Sequence, residues 1–184
     1  MSNMNPDRNR HILVIDDHKS IHDDFRKILA SDEPATVALR LTETALFGSS
    51  VNEEPQVYFQ IDSAYQGPEG VERVKEAIDG MCPYAMAFVD MRMPPGFDGL
   101  KTALEILRVD PEIQVVICTA YSAYSWEEIS EQIGNNNRMA LLKKPFDLLE
   151  TLRLVNELVE KWWELHFDLK KTQHLSLKIK KWKE

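Results

Sequence analysis

Five residues carry reactive side chains just where apolar runs end. ILVI at 12–15 is followed by Asp16 and Asp17, YAMAFV at 84–89 by Asp90, QVVIC at 114–118 by Thr119, and MALLK at 139–143 by Lys144. If those run ends converge, three carboxylates, a hydroxyl and an ammonium share one shallow pocket. Clustered acids repel and raise one another's pKa unless a cation sits among them. Oxygen-only ligation open to water is what Mg²⁺ prefers, and the lysine then balances charge that the metal does not. Such a site suits phosphoryl transfer to a carboxylate: the cations neutralise phosphoryl oxygens and one Asp attacks in line. A hydrolase with an aspartate nucleophile places an acid two residues further on, whereas Met91 and Arg92 follow Asp90. No Gly-rich phosphate loop follows the first apolar run, so nucleotide binding loses its main support.

The elements that must bring these residues together follow from hydrophobic spacing. Apolar runs recur at 12–15, 57–61 (VYFQI), 84–89, 114–119 and 139–142. Continuous rather than alternating runs are what a parallel sheet covered on both faces requires. Between them lie segments of helical period: HKSIHDDFRKILA (18–30), GPEGVERVKEAIDG (67–80), DGLKTALEILRVD (98–110) and SWEEISEQIG (125–134). Strand and helix alternating five times predicts a doubly wound α/β domain with its ligands at the carboxyl ends of the strands. One connection is too long. Asp16 and Asp90 are 74 positions apart, where two strands, two helices and their loops need about 45; the surplus is an insertion at about 31–56.

The 184 residues carry a formal net charge of −8, with 43% hydrophobic and 28% charged residues, in the range of an ordinary globular domain plus an appended segment. The acidic balance argues against a nucleic-acid surface. No stretch is apolar enough for a membrane span and the start, MSNMNPDRNR, has no signal-peptide core, so a cytoplasmic location is expected. Residues 1–10 read as a disordered segment and 11–160 as the domain. Residues 161–184 hold seven Lys against three acids, a basic helical extension on an acidic body. From Phe146 onward no Gly or Pro interrupts the helical pattern. Leu158, Trp162, Leu165, Leu169, Thr172, Ser176 and Ile179 alternate at spacings of four and three, the seam of a coiled coil and hence of a homodimer. Cys82 and Cys118 have no metal-type spacing and no strong claim to a disulfide. His18 and His22 read as solvated residues of the first helix. His166 and His174 lack the His-Glu or His-Asp box of a phosphorylated kinase histidine.

Taken together, ILVIDD, FVDMRMPPGFDG, VVICTA and LLKKPF resemble the receiver domain of two-component response regulators over about residues 11–160. The resemblance implies a flavodoxin-like five-stranded parallel sheet of order 2-1-3-4-5. It implies that Asp90 accepts a phosphoryl group from the phosphohistidine of a histidine kinase or phosphotransfer protein. Asp17, Asp90 and the backbone carbonyl of Arg92 would then ligate Mg²⁺ with Asp16 in support, Lys144 would pair with the phosphoryl group, and the Thr119 hydroxyl would move to bond it. Ala120 would leave that space open, and the Lys144–Pro145 bond would be cis.

The chain departs from the pattern where receivers often carry an aromatic three residues before the lysine: that position is Leu141. Tyr121, Tyr124 or Trp126 would then report the change instead. The loop after Asp90 is longer than the receiver pattern by one residue, at Pro94-Pro95-Gly96. With the insertion, CTAYSAYSWEEI resembles receivers placed ahead of histidine kinase or diguanylate cyclase modules. A receiver fold that dimerises without phosphorylation is the alternative function, and a metal-dependent phosphatase is disfavoured by the missing second acid.

Overall fold

The computed structural model describes residues 9–30, 59–94, 98–120 and 137–181, with the side chains of the last helix described to His166. Five strands and four helices lie among them: β1 (His11–Ile15), α1 (Lys19–Ala30), β2 (Gln60–Ala64), α2 (Gly67–Asp79), β3 (Met86–Asp90), α3 (Gly99–Val109), β4 (Gln114–Ala120), β5 (Met139–Lys144) and α4 (Leu148–Lys181). All neighbouring strands pair in parallel in the order β2-β1-β3-β4-β5. The expected strand order is thus observed. The insertion at 31–56 and the segment 125–134 lie outside the described residues, as do Tyr121, Tyr124, Trp126, Pro95 and Gly96.

The central strands show why their sequences read as unbroken apolar runs. Ile12, Val14, Phe88, Val116 and Cys118 point to one face, where Phe25 and Leu29 of α1 and Leu152, Val155 and Val159 of α4 cover them. Leu13, Ile15, Ala87, Val89, Val115 and Ile117 point to the other, under Val74 of α2 and Ala103 and Ile106 of α3. Among the described residues two helices cover each face, so alternation in polarity disappears.

β2 is the exception. The run VYFQI predicts a strand at 57–61, of which Val57 and Tyr58 lie outside the described residues; the described strand is Gln60–Ala64, in register with β1 from His11↔Gln60 to Ile15↔Ala64. As an edge strand it keeps Gln60 exposed and Ile61, Asp62 and Ser63 half-buried. Phe59 is buried in the core ahead of the strand. Burial on one side only lets QIDSA serve as a strand, so the strand continues past the apolar run through Asp62 and Ser63 to Ala64.

The last helix also differs from a free seam. Leu158, Val159 and Trp162 are buried against the sheet, and Trp163 packs beside them. Trp162 stacks on His166 with ring centroids 3.6 Å apart, and His166 Nε2 lies 2.7 Å from a carboxylate oxygen of Glu112, ahead of β4. Lys161 Nζ donates to the Asn137 carbonyl. The first two seam positions therefore belong to this domain's own core, which their apolar type alone could not distinguish from a partner interface.

α3 and α4 start on ordinary capping chemistry. Asp98 accepts a hydrogen bond from Lys101 N at 2.7 Å, and Asp147 one from Glu150 N at 2.9 Å. Asp98→Ala is expected to destabilise the domain by about 1 kcal/mol in urea unfolding without a change in slope.

Candidate functional site

The carboxyl ends of β1, β3 and β5 meet, and the backbone ladder fixes where. Asp16 N donates to Ala64 O at 3.1 Å, extending the β1–β2 pairing by one residue. Asp90 stands opposite Cys118 on β4, and Met91 N donates to Cys118 O at 2.9 Å. Lys144 ends β5, two strands from β3, a separation of roughly 10 Å at the usual spacing. Its extended stem crosses the end of β4 and places Nζ 2.7 Å from Asp90 Oδ1 and 2.6 Å from Asp16 Oδ2. The Lys144–Pro145 bond is cis, and the Phe146 ring centroid is 5.8 Å from Nζ.

The carboxylates are held by backbone donors as well. Asp90 Oδ2 accepts from Arg92 N at 2.9 Å, and Asp16 Oδ1 accepts from His18 N at 2.8 Å. The Asp16 side chain is 2% exposed, that of Asp90 10% and that of Lys144 19%. Burial pulls the Lys144 ammonium pKa down, but its hydrogen bonds to Asp16 and Asp90 outweigh it and hold the group above an ordinary lysine. Cys118 lies near all three charges. Burial drives its thiol pKa up, more than the neighbouring ammonium lowers it, which makes it an inert core residue.

Asp17 is the member without a satisfied partner. Its Oδ1 is buried and accepts no hydrogen bond, although His18 Nδ1 is 2.7 Å away in an orientation unsuited to one. Ligand atoms of Asp16, Asp17 and His18 lie within 4.8 Å of one another. Asp16 and Asp90 share the one ammonium of Lys144, and Asp17, next in the chain, adds a carboxylate with a buried oxygen that no hydrogen bond satisfies. That donor set fits a hard divalent cation of the Mg²⁺ kind.

Thr119 and Leu141 stand slightly apart. The Thr119 hydroxyl donates to the Ala120 carbonyl at 3.2 Å. Leu141 is partly buried against the core on the α2–α3 side, paired with Ile117 on β4. Arg92 and Ala120 are exposed.

Two contributors escape a reading by residue type. His22 is fully buried rather than solvated: its Nε2 donates to the Asp16 carbonyl at 2.8 Å, and its ring lies against Tyr65 at 4.7 Å. One turn beyond Asp16-Asp17-His18, it clamps the backbone of the acid pair; its position on the same helical face as Phe25 was the available signal. Phe146 packs on Phe25 at 4.8 Å between ring centroids, beside the lysine.

Gly99 seats α3 against the loop. Its N donates to Met91 O at 3.0 Å, and a Cβ there would lie 2.1 Å from the Asp90 carbonyl oxygen and 2.7 Å from Met91 Cα. Both are backbone atoms, so relief requires the strand end to move. Gly99→Ala is expected to cost about 1–3 kcal/mol in thermal unfolding and to displace Asp90.

A sheet of this order, with two acids after β1, one at the end of β3 and a lysine closing β5, can be compared with known folds. The chain is similar to a response regulator receiver domain from Methanospirillum hungatei, at 18% identity and TM-score 0.57 over 84% of this chain and 97% of that one. It is similar to a two-component transcriptional regulator AraC from Clostridium phytofermentans, at 21% identity and TM-score 0.59 over 84% and 95%. A protein described as an adenylate cyclase from Rhodopirellula baltica matches at 18% identity and TM-score 0.57 over 92% and 98%. No family model and no curated protein sequence matches. The chain therefore has the receiver fold. Among the described residues, no helix is long and apolar enough to cross a membrane.

Proposed function

We propose that this chain is a phosphorelay receiver in which Asp90 takes a phosphoryl group from the phosphohistidine of a histidine kinase or phosphotransfer protein. The observation that carries this reading is the Lys144 ammonium held between Asp16 and Asp90 at the strand ends. An ammonium so placed follows charge from the carboxylate to an incoming phosphoryl oxygen. Asp90 attacks phosphorus in line; the P–N bond to the donor imidazole breaks as the P–O bond forms. Asp16, Asp17, Asp90 and the Arg92 carbonyl would hold Mg²⁺, which supplies neutralisation of the phosphoryl oxygens. Thr119 exchanges its hydrogen bond to the Ala120 carbonyl for one to the phosphoryl group, and Ala120 leaves room for that movement. Leu141 stands where an aromatic often follows it.

The output is a population shift between two packings biased by charge at Asp90. The domain spans about 11–160, and residues 161–184 transmit the change, as a homodimer through the seam from Leu165 onward or to a downstream module. No catalytic output is assigned to this chain, and its compartment is the cytoplasm.

Mg²⁺ binding tests the metal half of the reading. Millimolar Mg²⁺ is expected to raise the melting temperature by preferential binding to the folded state. Asp17→Asn is expected to weaken that binding at least about tenfold. An unchanged Mg²⁺ titration in Asp17→Asn would remove Asp17 from the metal site.

A further inference from the structure

At the opposite end of the sheet, a thiol ahead of β3, an imidazole at the start of β1 and a carboxylate on β2 line up. Cys82 Sγ lies 3.7 Å from His11 Nδ1, and His11 Nε2 lies 2.9 Å from Asp62 Oδ2. The same Asp62 oxygen accepts from the Tyr84 hydroxyl at 2.7 Å, and the His11 and Tyr84 rings are 4.4 Å apart. Cys82 is an exposed free thiol, and the His11 side chain is 12% exposed.

These partners set the tautomer of His11. An ionised carboxylate only accepts, so in the neutral ring Nε2 carries the proton toward Asp62 and Nδ1 presents its lone pair. The groups facing Nδ1 are the Cys82 thiol and, at 3.4 Å, the Cys82 carbonyl. Of the two only the thiol has a proton to give. A nucleophile, a base within reach and an acid orienting that base is the arrangement of activated-thiol sites.

The framework is fixed around it. Cys82 N donates to Ala77 O and Met81 N to Ile78 O, both at 2.9 Å, closing the end of α2. Met81 holds φ at 56° without being glycine. Asn9 ties the other side, donating to Pro83 O at 2.6 Å and accepting from His11 N at 3.0 Å. The thiol and imidazole thus sit on two segments pinned to each other.

We infer that Cys82, His11 and Asp62 form a second reactive site, a thiol that reduces hydroperoxides and is itself converted to a sulfenic acid. Sulfur attacks the distal oxygen of ROOH; the S–O bond forms and the O–O bond breaks. His11 Nδ1 takes the thiol proton and delivers it to the departing oxygen, giving ROH. Cys82 loses two electrons and the peroxide gains them. Asp62 is a positioning residue, holding the tautomer through Nε2.

The test is the second-order rate of Cys82 oxidation by H₂O₂ in the full chain, read by dimedone trapping and peptide mass mapping, which separates it from sulfoxide at exposed Met81. The reference is a synthetic peptide of residues 79–85. Cys82 in the folded chain is expected to react about tenfold or more faster than the peptide, His11→Gln to fall to the peptide rate, and Asp62→Asn to slow, with buried Cys118 untouched as the check on folding. A folded chain that reacts no faster than the peptide overturns the inference, whether or not His11→Gln folds. So does a folded His11→Gln protein as fast as the wild type.

Discussion

Asp90→Asn is expected to accept no phosphoryl group while keeping the fold. The amide preserves the shape of the carboxylate, so its oxygen still accepts from Arg92 N, which lies 2.9 Å from Asp90 Oδ2, or from Lys144. Strand pairing of Asp90 with Cys118 uses backbone alone and is unaffected. An amide oxygen is a far poorer nucleophile than a carboxylate and cannot yield the acyl phosphate, so the loss is complete rather than partial. The change in unfolding free energy should stay within about 1.5 kcal/mol, as for an isosteric change that retains one hydrogen bond. Radiolabelled phosphoryl transfer from a phosphohistidine donor, with melting curves on the same samples, reads both halves.

Lys144→Met should be the most destabilising change at the site. The ammonium bonds both Asp16 and Asp90, whose side chains are 2% and 10% exposed. Removing it leaves two buried carboxylates facing each other beside Asp17 without their shared counter-charge. Breaking a buried pair from one side costs about 3–5 kcal/mol, whereas the intact pair contributes far less net. Phosphoryl transfer should fall as well, because no fixed cation then receives the phosphoryl oxygen. Mg²⁺ should recover part of the lost stability, since it supplies charge to the same acids.

The alkaline limb of stability gives a second readout of the same lysine. Its folded-state pKa is raised above the ordinary 10.5 by Asp16 and Asp90, despite burial acting the other way. The stabilisation is therefore complete below about pH 10.5 and is lost as pH rises through the folded value. Lys144→Met removes that alkaline step from the stability profile, measured by urea unfolding at stepped pH.

Much of this was legible because a two-sided parallel sheet imposes a simple rule on its interior strands. ILVI, AFV and VVIC are apolar throughout since both faces are covered, so the polar residues after them stand out as strand ends. The reach of Lys144 across β4 follows once the strand order is known. An edge strand obeys no such rule, which is why β2 continues past the apolar run VYFQI through Asp62 and Ser63 to Ala64. His22 was misread for a related reason: an imidazole reads as polar, yet its buried face and its bond to the Asp16 carbonyl make it part of the core. Leu158 and Trp162 show the limit of periodicity, which marks an apolar stripe without saying whether the sheet or another helix covers it. Asp62 and His11, too, are ordinary in sequence and acquire meaning only from the register that sets β2 beside β1.

Intact mass after incubation with acetyl phosphate, with and without Mg²⁺, tests the central claim most directly. The wild-type chain is expected to gain the mass of one phosphoryl group with Mg²⁺, to gain little without it, and to gain none as Asp90→Asn. An unchanged wild-type mass, or a gain that persists in Asp90→Asn, would contradict the assignment of Asp90 as the phosphoryl acceptor.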